Sequence, residues 1–103
     1  MQCARVAIYR VTSGDVDEVI QRAQQGMLPT FQKQPGFVGY GLIKTSDGAK
    51  AISISFWQSV EQADAATQVA AQWVRANLAN MIQLEQSLTG DTTFFKTLAP
   101  IGM

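Results

Sequence analysis

The chain contains no histidine. Without an imidazole there is no serine–histidine–aspartate or cysteine–histidine machinery, no histidine-ligated zinc or haem, and no side chain whose ordinary pKa lies near neutrality. Cysteine is nearly absent as well. The single Cys3 cannot staple the chain to itself, which points to a reducing, cytoplasmic setting rather than a secreted one. With Arg5 as its only cationic neighbour in sequence, Cys3 reads as a small buried or terminal hydrophobe and not as a nucleophile.

Charge is scarce too. Charged residues make up 16% of the 103, below the roughly 25% of an average soluble domain, so much of the surface must be uncharged or covered. The 8 Lys and Arg balance 8 Asp and Glu and are scattered singly from Arg5 to Lys96. Nucleic acid is excluded as a partner, because phosphate binding needs clustered cations. No apolar run approaches the roughly 20 residues needed to cross a bilayer, and the N-terminal MQCARVAIYRV alternates instead of forming a signal-peptide block. Asp15, Asp17 and Glu18 are the nearest thing to a cation cluster. Their place at the start of a helix is explained by capping and the helix dipole, and no metal or cofactor is expected.

What the chain does have is hydrophobic residues, 47% of the total. A length of 103 residues gives one domain, spanning 1–103, that buries only about two-thirds of its unfolded surface, so a second subunit would help. Between Cys3 and Val11, Ala4, Val6 and Ile8 alternate with Ala7, Tyr9 and Val11, and both faces of this strand want cover. Asp15 then caps a helix, with Glu18 three residues on, and Val16, Val19, Ile20, Ala23, Met27 and Phe31 form its buried stripe. Pro29 predicts a kink or break with a short terminal turn through Gln34, before Pro35-Gly36 ends the helix.

Strands follow over Phe37 to Thr45 and Ala49 to Trp57, joined by Ser46-Asp47-Gly48, where Asp-Gly supplies the positive φ of a tight turn. In the second of these, Ile52, Ile54 and Phe56 share one face and Ala51, Ser53, Ser55 and Trp57 the other. Ser59 and Gln62 form an S-x-x-Q box that opens a second helix to about Leu84, with Ala63, Ala66, Ala70, Trp73, Val74, Asn77, Leu78, Met81 and Ile82 inward. Its small residues, Ala63 to Ala71, leave room beside Trp57. Asp91 to Leu98 reads as the last strand, and Met27, Met81, Phe94 and Phe95 read as core.

The order βαββαβ predicts an α+β, ferredoxin-like fold, a four-stranded antiparallel sheet with two helices on one face. Strands with apolar residues on both sides leave the other face to a two-fold partner, so a homodimer closed through the sheet face is expected.

The stretch Q-x-G-M-L-P-x-F-x-x-Q-P-G-F-V-G-Y ending at Tyr40, the strand Ile52-Ser53-Ile54-Ser55-Phe56-Trp57 with Gln58-Ser59 after it, and the alanine-rich second helix together resemble the antibiotic biosynthesis monooxygenase-like domains. The resemblance spans nearly the whole chain and implies a dimeric α+β barrel with a pocket between sheet and helices. Several relatives hold planar aromatic substrates such as anthrones or quinols there, which react with oxygen without metal or flavin, and others degrade haem. Trp57 looks like the family's pocket tryptophan, placed to stack on a planar ligand. Where the family's oxygenases have an asparagine upstream on that strand, this chain has Ser53 or Ser55, and Thr67 stands approximately where haem-degrading members have a histidine.

Tyr9, Tyr40, Ser53 and Asn77 join Trp57 as candidate substrate-binding residues. The phenols and the hydroxyl could hold a substrate oxygen, and Asn77, on the apolar stripe, would need a buried partner. Arg75 lies on the opposite side by helical angle, toward solvent. Two functions fit: a cofactor-independent monooxygenase of planar aromatic substrates, or a non-catalytic dimer binding a small ligand. The shortage of ionisable pocket groups favours the second.

Overall fold

Four strands, β1 (Cys3–Val11), β2 (Phe37–Lys44), β3 (Lys50–Trp57) and β4 (Ile82–Asp91), form one antiparallel sheet in the order β2-β3-β1-β4. The structure, a computed structural model, describes residues 2–96. Between β1 and β2 the chain is helical throughout: α1 (Val16–Arg22), a π-helical turn (Ala23–Met27) and α2 (Leu28–Gln32). The second crossover is α3 (Val60–Asn77). All helices lie on one side of the sheet, as the ferredoxin-like order requires.

Strand alternation decides which side chains they cover. Cys3, Arg5, Ala7 and Tyr9 of β1 are buried, as are Ala51, Ser53, Ser55 and Trp57 of β3. The intervening Val6, Ile8, Ile52, Ile54 and Phe56 face the other way and stay half-exposed. The more apolar set of β3 therefore points away from the chain's own helices. Ile43 and Leu88, also on the open face by register, are at least 45% exposed.

The predicted caps form. Asp15 accepts from the Glu18 N–H at 2.8 Å, and Ser59 Oγ accepts from the Gln62 N–H at 3.2 Å. The Gln62 side chain does not complete the box. It lies against Gly36, whose φ of +83° and lack of a Cβ leave that space.

Pro29 falls inside the first helical rod without breaking it. Val19, Ala23, Met27 and Phe31 are all buried and recur every fourth residue, a period longer than the 3.6 of an α-helix, which would let such a stripe drift by about 40° per step. The π turn carries more residues per turn and keeps the stripe on the sheet. Its widened bonding is visible at the exit, where the Leu28 N–H reaches the Ala23 carbonyl, five residues back.

Three expectations are corrected in the C-terminal part of the chain. The second helix ends at Asn77, not near Leu84, and the last strand is Ile82–Asp91, not Asp91 to Leu98. Leu98 itself lies outside the described residues. Leu78 leaves the helical region at φ −132°, ψ 14°, and the Met81 carbonyl then accepts from Thr12 N–H at 2.7 Å and Ser13 N–H at 3.3 Å. That clamp starts β4 beside the end of β1, whose outer edge would otherwise be unpaired. Phe94 and Phe95 consequently follow the last strand and are exposed, 83% and 63%, rather than core. The Phe95 ring meets Phe56 edge-on at 5.8 Å, on the open face of the sheet. Among the described residues no helix is long and apolar enough to cross a membrane.

Candidate functional site

The register places a polar row across the covered face. Tyr40 of β2 pairs with Ser55 of β3, Ser55 with Arg5 of β1, and Arg5 with Thr89 of β4. Arg5 is 2% exposed and Ser55 0%. The next row toward the hairpin holds Leu42, Ser53, Ala7 and Ser87. Hydroxyl and guanidinium groups thus occupy the middle of the layer that would ordinarily be apolar.

Arg5 owes its position to α3. Ala63, Ala66 and Ala70 are at most 2% exposed and let the helix close on the sheet, so the room expected beside Trp57 is taken up by this approach. Thr67, on the same helix, accepts from Arg5 Nε at 2.8 Å and its hydroxyl donates to the Ala63 carbonyl at 3.2 Å. Thr67 is therefore an anchor for an arginine. Arg5 Nη1 is buried with no hydrogen-bond partner, and among the described residues no carboxylate lies within 4.0 Å of the guanidinium. An unpaired buried charge costs several kcal/mol, and a guanidinium does not escape the cost by losing its proton.

Above this row a cavity lies between the helices and the sheet. Its polar lining is Arg5, Tyr9, Tyr40 and Ser53, and its walls include Met27, Phe31, Leu42, Trp73 and Leu78. It offers about 30 Å³ to the centre of a water molecule, room for about two ordered waters. Burial pushes the Tyr40 phenol up to about 12, opposed by the Ser53 hydroxyl, reinforced by Tyr9 and opposed again, more weakly, by Arg5. Tyr40 is therefore a proton donor at neutral pH and not a base.

Three of the sequence candidates, Tyr9, Tyr40 and Ser53, meet at this cavity. Trp57 is fully buried but stands behind the lining. Its indole N–H donates to Ser55 Oγ at 2.9 Å, and its ring meets Phe31 edge-on at 5.2 Å and Phe37 at 5.6 Å. Asn77 is exposed, with its amide donating to the Trp73 carbonyl at 2.9 Å; the helix ends there, so the inward angle that the stripe predicts no longer faces packed residues. It borders a shallow surface cleft with Arg22, Gln25, Gly26 and Trp73. Arg5 is the site residue that sequence reasoning passed over, although its alternation with Ala7 and Tyr9 already put it on their side of the strand.

Another cleft, of about 210 Å³ and so roomier than the cavity between helices and sheet, opens on the far flank of α3, lined by Arg5, Tyr9, Thr67, Ala71, Val74, Arg75 and Leu84. Arg5 and Tyr9 stand in the walls of both spaces.

The antibiotic biosynthesis monooxygenase family model matches residues 3–73, more than half of the chain, and the chain belongs to that family. In fold it is similar to SnoaB, a cofactor-independent oxygenase from Streptomyces nogalater, at 19% identity and TM-score 0.71, covering 96% of this chain and 98% of that one. HapK from Hahella chejuensis is 18% identical with TM-score 0.72, covering 97% and 100%. NE2512, a protein of unknown function from Nitrosomonas europaea, is 14% identical with TM-score 0.75, covering 96% of each. At these identities the likeness is one of fold. No curated protein matches the chain in sequence.

Proposed function

We propose that the protein is a cofactor-independent monooxygenase that binds a planar aromatic substrate of quinol or anthrone type between its helices and its sheet. The observation that carries this reading is the convergence of Tyr9, Tyr40, Ser53 and the uncompensated Arg5 charge on one otherwise apolar cavity. Membership of the family and the fold shared with a cofactor-independent oxygenase support it.

Such a substrate carries its own reducing power. Ionised at the reacting carbon, it gives an electron to oxygen and the two radicals recombine. For an anthrone, the peroxide anion takes back the proton shed when the CH2 ionised, and the hydroperoxide then loses water, so that the CH2 becomes a carbonyl, with one oxygen atom retained and the other released in water. The protein's part is to favour the ionised substrate and keep water away. Arg5 supplies fixed positive charge for the substrate oxygen, and the protonated Tyr40 donates a hydrogen bond to it. Trp57 acts as a positioning residue through Phe31. A ring system must displace side chains to enter, and Met27, unbranched and flexible, is the easiest wall to move.

The open sheet face fits the same reading. Val6, Ile8, Ile52, Ile54 and Phe56 form a surface that a second copy would close, giving a homodimer.

The test is oxygen uptake by metal-free protein on anthrones and quinols. Uptake is expected to fall at least about tenfold in Tyr40→Phe, the loss of one hydrogen bond to a developing charge, and to extend to bulkier rings in Met27→Ala. Uptake equal in the variants and the parent would remove the assignment. A second reading, ligand binding without chemistry, draws on the raised pKa of Tyr40, which leaves the cavity without a base near neutrality. Binding of an anthrone with no oxygen uptake would select it.

A further inference from the structure

We infer that the cleft between α3 and the β1–β4 side of the sheet is a binding site for an organic monoanion, a carboxylate on a short apolar body, held by Arg5 and Arg75. It draws on the same Arg5 charge as the proposed function, because Arg5 lines both spaces, so an anion in the cleft would compete with an ionised substrate in the cavity, but it needs no oxygen chemistry.

The first support is Arg5 itself. Its guanidinium has five N–H donors, of which Nε is committed to Thr67 at 2.8 Å while Nη1 has no partner. Thr67 accepts from Arg5 and has given its one proton to the Ala63 carbonyl, so it fixes the guanidinium and has no donor left for an anion. The charge is permanent, 2% exposed and uncompensated, an arrangement a bound anion would complete.

The second support is Arg75. It lines the same cleft, is exposed and, among the described residues, has no carboxylate within 4.0 Å. One cation at the buried end and one at the rim would both attract an anion placed in the cleft. The remaining lining, Tyr9, Ala71, Val74 and Leu84, is largely hydrocarbon and ring. It favours an organic ion over a hydrated inorganic one, and a single full charge over two, because the buried end offers one compensating cation.

Calorimetric titration with 2-naphthoate and with its neutral isostere 2-naphthamide tests this. Naphthoate is expected to bind at least about tenfold more tightly than the amide, as expected for a charge-assisted bidentate contact. Arg5→Met is expected to erase that preference while melting at or above the parent temperature, because the substitution removes an unpaired buried charge. Arg75→Gln, at an exposed position, is expected to weaken naphthoate roughly threefold to tenfold and leave naphthamide unchanged. Equal affinity for the two probes would overturn the site, as would naphthoate binding that survives both substitutions. If Arg5→Met does not fold, the Arg75→Gln titration decides alone, and unchanged naphthoate affinity there overturns the site.

Discussion

The two faces of the sheet invert the usual division of labour. The covered face carries Arg5, Ser53, Ser55 and Tyr40 beneath the helices, whereas the open face carries Val6, Ile8, Ile52, Ile54 and Phe56. If hydrophobicity alone oriented the strands, the isoleucines would lie under α3. The covered face is instead closed at its edge by Phe31, Phe37 and Trp57 and by the alanines of α3, and its centre is left polar. The contrast teaches that the chain keeps polar side chains under its own helices and leaves its larger aliphatic ones on the face those helices do not cover.

The comparison breaks most directly at the aromatic edge. Trp57→Ala is expected to destabilise the protein by about 3–5 kcal/mol, the cost of an emptied core position, read as a fall in the urea midpoint at unchanged slope. A midpoint within experimental error of the parent would show that the covered face is held by something other than its aromatics. On the open face, Ile54→Asp is expected to leave the circular dichroism spectrum unchanged and weaken self-association by about 3 kcal/mol, by burying an unpaired carboxylate between copies. Sedimentation equilibrium reads this, and a parent that runs as a monomer at micromolar concentration would undo the proposed role of that face.

A subtler test sharpens the polar centre. The folded-state pKa of Tyr40, about 12, lies above the ordinary phenol value near 10, so between those values the folded protein binds more protons than the unfolded chain. Stability is therefore intact below about pH 10 and falls by roughly 2–3 kcal/mol as pH rises toward 12. Tyr40→Phe is expected to flatten that loss in alkaline melts. The smallest expected effect is local: Asp15→Ala removes the acceptor for the Glu18 N–H and should cost about 1 kcal/mol, touching neither face.

Much of this architecture is readable from residue order. Period-2 alternation locates β1 and β3, Asp47-Gly48 locates the hairpin that joins β2 to β3, and Asp15 and Ser59 mark where the helices begin. β4 is not readable, for a physical reason. As an edge strand exposed on both sides after Ile82, with a register shift opposite Ile8 and Tyr9, it has no alternation, and its Gln, Leu and Glu residues are good helix formers. Met81 and Ile82, four residues on from Asn77 and Leu78, continue the helical spacing past the true end. At the site, aromatic and hydroxyl candidates were legible because strand parity puts Tyr9, Tyr40 and Ser53 on one side. Arg5 was not, because an arginine in a strand reads as solvated until the helix above it is placed. Trp57 shows the converse, since sequence marks it as special without saying whether it touches a ligand or supports the residue that does.

The π turn between α1 and α2 makes the size of the cavity depend on a whole number. An α-helix rotates by about 100° per residue, so excising Gln24 or Gln25 from the turn would restore regular pitch and swing α1 by that angle against the sheet. Val19, Ile20 and Ala23, all in the cavity wall, would be carried with it. Gaining or losing one residue here therefore re-aims half a helix and reshapes the chamber without altering any side chain of the polar row beneath, a discrete adjustment available to the fold alongside ordinary substitution.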